Sequence, residues 1–156
     1  MTYNALISTI KQNKVKRFFY TNDIQFKSDL NQFKNKGGVY IIFDKKQNDE
    51  IIYIGESKDL YERLTTHFGV YSQYKSALNK ALSTKGGIKD TINDYVRTNL
   101  SFCIILCGNH KQIETYIVSI LKANNCKILN SDKKIYSHYS NNPNFDNIIE
   151  TNIVLQ

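Results

Sequence analysis

Tyr40, Tyr53, Arg63, His67, Glu114 and Asn130 are the side chains whose types and order could do chemistry together. A phenol titrates near pH ~10, so Tyr40 is a poor base at neutral pH unless positive charge lowers its pKa or a neighbour takes its proton. Arg63 offers the charge and His67 the proton acceptor. They stand four residues apart, which on a helix puts them on one face. A guanidinium there can hold two phosphate oxygens and offset charge growing in a transition state. A histidine beside it can accept a proton or touch the same phosphate. The Tyr53 hydroxyl can orient a phosphate or a water, and the Asn130 amide can hold a phosphate or a backbone group. Each residue also has a plain structural reading. Tyrosine is common in strands, Arg63 and His67 suit a solvated helix face, helix dipoles favour an acid such as Glu114 in a first turn, and Asn130 suits a turn.

The elements that must position these groups follow from the hydrophobic pattern. Gly37-Gly38 punctuate the chain before the β-rich run Val39 to Phe43, and a second such run spans Glu50 to Ile54. A four-residue turn over 45–48 sets Asp44 opposite Asp49 and Tyr40 opposite Tyr53, on one face of a hairpin. Ser57 is the expected N-cap of a helix from Lys58 to Phe68, with Leu60, Leu64 and Phe68 as its buried stripe. Gln73 to Leu82 and Ile88 to Val96 form a helical insert broken at Gly86-Gly87. Leu100 to Leu106 is a central strand, and Lys111 to Asn124 a helix that carries Glu114. Lys127–Leu129 is strand-like, and residues 132–156 form a polar tail. Residues 1–35 read as an N-terminal helical extension. Leu6, Ile7 and Ile10 line its first helix face, the basic cluster Lys11, Lys14, Lys16 and Arg17 follows, and Phe18 and Phe19 anchor it. The whole is a single α/β domain of mixed α+β type, a small three-stranded antiparallel sheet flanked by helices.

Gly38-Val39-Tyr40 and Tyr53-Ile54-Gly55, with twelve residues between the tyrosines, together with Arg63, His67, Glu114 and Leu129-Asn130 in that order, resemble the GIY-YIG endonuclease superfamily over roughly residues 37 to 131. The resemblance implies the GIY-YIG nuclease fold and a magnesium-dependent DNA endonuclease, with residues 36–131 as its core. It implies that Tyr40 activates the attacking water and that Glu114 is a metal ligand. One carboxylate completed by waters and substrate suits Mg2+ or Mn2+. Glu56 departs from the pattern, because some members carry a lysine directly after the YIG glycine; no role is assigned to it. The alternative is a catalytically silent DNA-binding module that retains the fold. An adaptor that binds protein through its tyrosine-rich tail is a third reading.

Composition narrows the setting. A formal net charge of +7 favours a polyanionic partner such as DNA, because phosphate contacts release counterions. The first residues lack the apolar core of a signal peptide, and apolar runs are too short to span a membrane. Three cysteines without framework spacing fit a reducing cytoplasm. Cys103, Cys107, His110 and Cys126 lack the tight spacing of a zinc knuckle and read as core residues. The mixed aromatic and basic runs Tyr71–Tyr74 and Tyr136–Tyr139 could stack on bases or simply pack. There is no internal repeat and little room for a separate recognition domain. A compact stand-alone nuclease, restriction-like or of the mobile-element or phage type, is therefore expected. A homodimer would let one site per chain cut both strands.

Overall fold

A computed structural model describes residues 1–70, 76–83, 89–130 and 143–156. The two β-rich runs pair as expected: β2 (Gly38–Asp44) and β3 (Glu50–Ser57) form an antiparallel hairpin. β4 (Leu100–Leu106) pairs along the other side of β2. The sheet has four strands rather than three, in the order β1-β4-β2-β3. The fourth is β1 (Phe18–Phe19), so the expected hydrophobic anchor is an edge strand, with Phe18 opposite Phe102.

The hairpin register differs from the simple count. The turn is one residue longer: a 3₁₀ turn over Lys45–Gln47 is followed by Asn48 and Asp49 in the left-handed region, at φ 53° and 58°. Asn and Asp tolerate that conformation better than most residues. Asp44 therefore faces Glu50, not Asp49. A bulge then skips Ile52, so that Ile42 faces Tyr53 and Tyr40 faces Gly55. Each shift alone would turn Tyr53 to the wrong face; together they shift the register by two and restore it.

Both faces of the sheet are covered, which is why β2 and β4 are almost uninterrupted hydrophobic runs. One layer gathers Val39, Ile41, Phe43, Cys103 and Ile105 under α1 (Tyr3–Ile10), α6 (His110–Ala123) and α7 (Pro143–Asn152). The other gathers Tyr40, Ile42, Phe102 and Ile104 under α2 (Asp23–Leu30), α3 (Leu60–His67) and α5 (Lys89–Asn99). α4 (Ala77–Ser83) adds Leu78 to this layer.

Local signals explain the helix starts. Asp59, not Ser57, caps α3 by accepting from the Glu62 N–H, while Ser57 ends β3 and holds Asp59 through its hydroxyl. α2 is capped by Asn22 and buries Phe26 and Leu30, one turn apart. The two ends of the chain meet at the sheet. Ile153 bridges to Ile105 and Val15 to Leu155, and the Met1 ammonium, 2.8 Å from Asp146, also donates to the Tyr116 hydroxyl. The start of the expected helix at Gln73, the Gly86-Gly87 break, and the runs Tyr71–Tyr74 and Tyr136–Tyr139 lie outside the described residues.

Candidate active site

The hairpin brings the two tyrosines together, and glycine makes it possible. Tyr40 folds across β3 over Gly55, where a Cβ would lie 2.1 Å from the Tyr40 hydroxyl. Gly38 is held just as closely, since a Cβ there would meet the Ile105 carbonyl at 2.4 Å. With those spaces open, the Tyr40 and Tyr53 rings stack at 6.3 Å between centroids. His67, in the last turn of α3, closes a triangle of rings, 5.3 Å from Tyr40 and 5.9 Å from Tyr53. Its Nε2 lies 2.5 Å from the Tyr40 hydroxyl, a short hydrogen bond.

Burial sets the charge states of this triangle. Tyr40 is 1% exposed, and burial pushes its phenol well above the ordinary value, with Tyr53, Glu114 and Glu56 adding to the rise and Arg63 opposing it. Tyr53 is raised by burial and then by Glu114 and Glu56, again against Arg63. His67 is pulled down to about 3 by burial, then by the positive charge of Arg63. At neutral pH the site therefore holds a phenol bonded to a neutral imidazole. When Tyr40 donates, the His67 Nδ1–H is left without a partner among the described residues. That orphan donor is a cost retained at the site.

The His67 shift makes a stability prediction. The unfolded chain protonates this histidine below its ordinary value near ~6.5, while the folded chain stays neutral down to about 3. In that window the unfolded state binds more protons, so stability is complete above pH ~6.5 and falls as pH drops, by up to about 1.4 kcal/mol per unit. Thermal melts from pH 7 to pH 4 should show this slope, and His67→Gln should flatten it. Parallel slopes in both proteins would contradict the assignment.

The charged groups stand around the triangle. Arg63 is exposed one turn before His67 on α3. Glu114, second turn of α6, is 5% exposed and acts on both phenols. As an oxygen-only donor whose charge acts on both phenols, Glu114 fits a hard divalent ion completed by waters and a substrate phosphate. Among the described residues no cluster of three or more His, Cys, Asp or Glu could hold a metal, and Cys103, Cys107 and Cys126 are free thiols.

Asn130 is used differently from a phosphate ligand. Its Nδ2 donates to the Ile54 carbonyl at 2.7 Å and its Oδ1 accepts from the Ile54 N–H at 3.0 Å. The Leu129 N–H bonds the Ile52 carbonyl at 2.7 Å. This segment thus pairs with the outer edge of β3 and fixes the backbone on both sides of Tyr53. Of the two options for its amide, the structure uses the backbone one.

The sequence reading gave no role to Glu56 and considered His110 only as part of an unconvincing zinc set. The structure joins them: His110 Nδ1 lies 2.6 Å from Glu56 Oε2. Both line a groove of about 1010 Å³ that Arg63 also lines. The only advance signal was the placement of Glu56 directly after Gly55.

Fold and site together have the layout of a small catalytic domain. The family model for the GIY-YIG catalytic domain matches residues 36–127, more than half of the chain, and the chain belongs to this family of nucleases. No curated protein and no solved structure matches it. Among the described residues no helix is long and apolar enough to cross a membrane.

Proposed function

We propose that this protein is a Mg2+-dependent DNA endonuclease (Mn2+ serving in its place) that hydrolyses phosphodiester bonds with water. The observation that carries this reading is the Tyr40–His67 pair at 2.5 Å, with Arg63 and Glu114 placed electrostatically around it. Tyr40 receives the proton of the attacking water and shares it with His67. Arg63 clamps the phosphate, and Tyr53 orients phosphate or water. Asn130 keeps β3, and so Tyr53, in place. Glu114 holds the metal, which when bound neutralises the phosphate and stabilises charge on the leaving oxygen. Burial holds the Tyr40 phenol protonated in the free site, so positive charge beside it would help draw its proton away. The net charge of +7 supports DNA as the partner. A compact nuclease that works in the cytoplasm, alone or as a homodimer, fits the chain.

The test is nicking of supercoiled plasmid with Mg2+ or Mn2+. The native chain should cut, and Glu114→Gln should cut about 10²–10³-fold more slowly, the loss typical of one charge-stabilising group. Equal activity in both, or tight salt-dependent binding without any cleavage by the native chain, would instead favour a catalytically silent DNA-binding module.

A further inference from the structure

The Glu56–His110 pair has a geometry that the Tyr40–His67 pair lacks. A carboxylate only accepts hydrogen bonds, so the 2.6 Å contact fixes the proton on His110 Nδ1. The ring's other nitrogen, Nε2, has no hydrogen-bond partner among the described residues. It lies over Gly37, where a Cβ would come 3.1 Å from Cδ2 and 3.5 Å from Nε2, so the missing side chain leaves room for the ring. His110 opens α6 and Glu114 lies four residues on, which puts both on one helix face. Tyr40 and His67 are at most 1% exposed, whereas His110 is 17% exposed in the groove that holds Arg63.

Hydrolysis of a phosphodiester has two proton transfers, one from the water and one to the leaving oxygen. The Tyr40–His67 pair accounts for the first. Among the described residues lining the groove, His110 is the one imidazole, a side chain able to carry a proton on either ring nitrogen and hand it on. Charged groups also line this groove: Lys58 and Asp59 before α3, Glu62 and Arg63 on α3, Lys80 on α4, and Lys111 next to His110 on α6.

We propose that His110, oriented by Glu56, is the general acid that protonates the leaving oxygen. The water oxygen bonds to phosphorus and its proton passes to the Tyr40–His67 pair. The bond from phosphorus to the leaving oxygen breaks, its electron pair stays on that oxygen, and the oxygen takes the proton from Nε2 of the imidazolium. The products are a phosphate monoester and a hydroxyl. His110 is left neutral, still donating Nδ1–H to Glu56, and regains its proton from solvent. Glu56 is a positioning residue: its carboxylate selects the tautomer and orients the ring. This rests on the DNA-hydrolysis reading above.

The test compares an ordinary DNA duplex with one whose scissile phosphate carries sulfur in place of the leaving oxygen. A thiolate leaves without a proton. His110→Gln should cut the ordinary duplex about 10²-fold more slowly than the native chain, yet cut the sulfur-bridged duplex within about threefold of it. Glu56→Gln keeps an acceptor but removes the charge; it should lose less, with the same rescue by sulfur. Tyr40→Phe should be slow on both substrates. Equal slowing of both substrates by His110→Gln, or no slowing of either, overturns the assignment and leaves the nuclease reading standing. Failure of the native chain to cut the ordinary duplex overturns that reading and this one with it.

Discussion

Tyr40→Phe should fold and bind DNA as the native chain does, but cut it about 10²–10⁴-fold more slowly, the range for loss of a general base. The substitution removes one oxygen from a ring that is already fully packed, so the two ring stacks and the hydrophobic layer around Ile42 and Phe102 remain. What disappears is the hydroxyl bonded to His67 Nε2, through which the proton of the attacking water would pass. Both His67 nitrogens would then be buried without partners among the described residues, which costs about 1–3 kcal/mol and lowers Tm by several degrees in a domain of this size. Rapid-quench cleavage assays and thermal melts read the two effects separately. Cleavage within a factor of a few of native would show that another group activates the water.

Gly55→Ala should be at least as damaging on both counts. The added methyl would lie 2.1 Å from the Tyr40 hydroxyl and 2.2 Å from the ring carbon that bears it. Such contacts are relieved easily only by a flexible side chain that is free to swing away. Tyr40 is not free: it is buried, hydrogen-bonded to His67 and stacked on Tyr53. The strain therefore spreads into β3 or expels the ring, at a cost of about 1–3 kcal/mol for overpacking. Cleavage should fall at least as far as in Tyr40→Phe, because the phenol is displaced together with Tyr53. A stable Gly55→Ala protein with native activity would mean that Tyr40 does not lie across β3.

This glycine also shows what the sequence could and could not reveal. The periodicities located β2, β3, β4, α3 and α6, because each buries a run or stripe of apolar side chains. The hairpin register departs from the simple count because two local features, a left-handed Asn48-Asp49 pair that lengthens the turn and a bulge at Ile52, leave no mark in the hydrophobic pattern. They offset one another, so the tyrosines were correctly placed on one face for an incomplete reason. α2 and α7 went unread. α2 is mostly polar around Phe26 and Leu30, and α7 hides Phe145 and Ile149, with Ile153 just past its end, at four-residue spacing in an Asn-rich stretch. The strand character of Phe18–Phe19 exists only because β4 lies beside it.

The candidate site was more legible than the fold around it. Tyr40, Tyr53 and His67 meet as rings, and Arg63 and Glu114 act on both phenols. Spacing alone could not show that Asn130 spends its amide on the Ile54 backbone, since that depends on a contact between residues 76 apart. The pairing of Glu56 with His110, 54 residues apart, was invisible for the same reason.

We propose that one site, assembled from Tyr40, Arg63, His67 and Glu114, hydrolyses DNA. The most direct measurement takes the native chain, Glu114→Gln and Tyr40→Phe, and determines DNA affinity and Mg2+-dependent cleavage rate on the same samples. All three should bind DNA with similar affinity, the native chain should cut, and both variants should cut at least about 10²-fold more slowly. Native-like cleavage by Glu114→Gln, or binding by the native chain with no cleavage in Mg2+ or Mn2+, would contradict it.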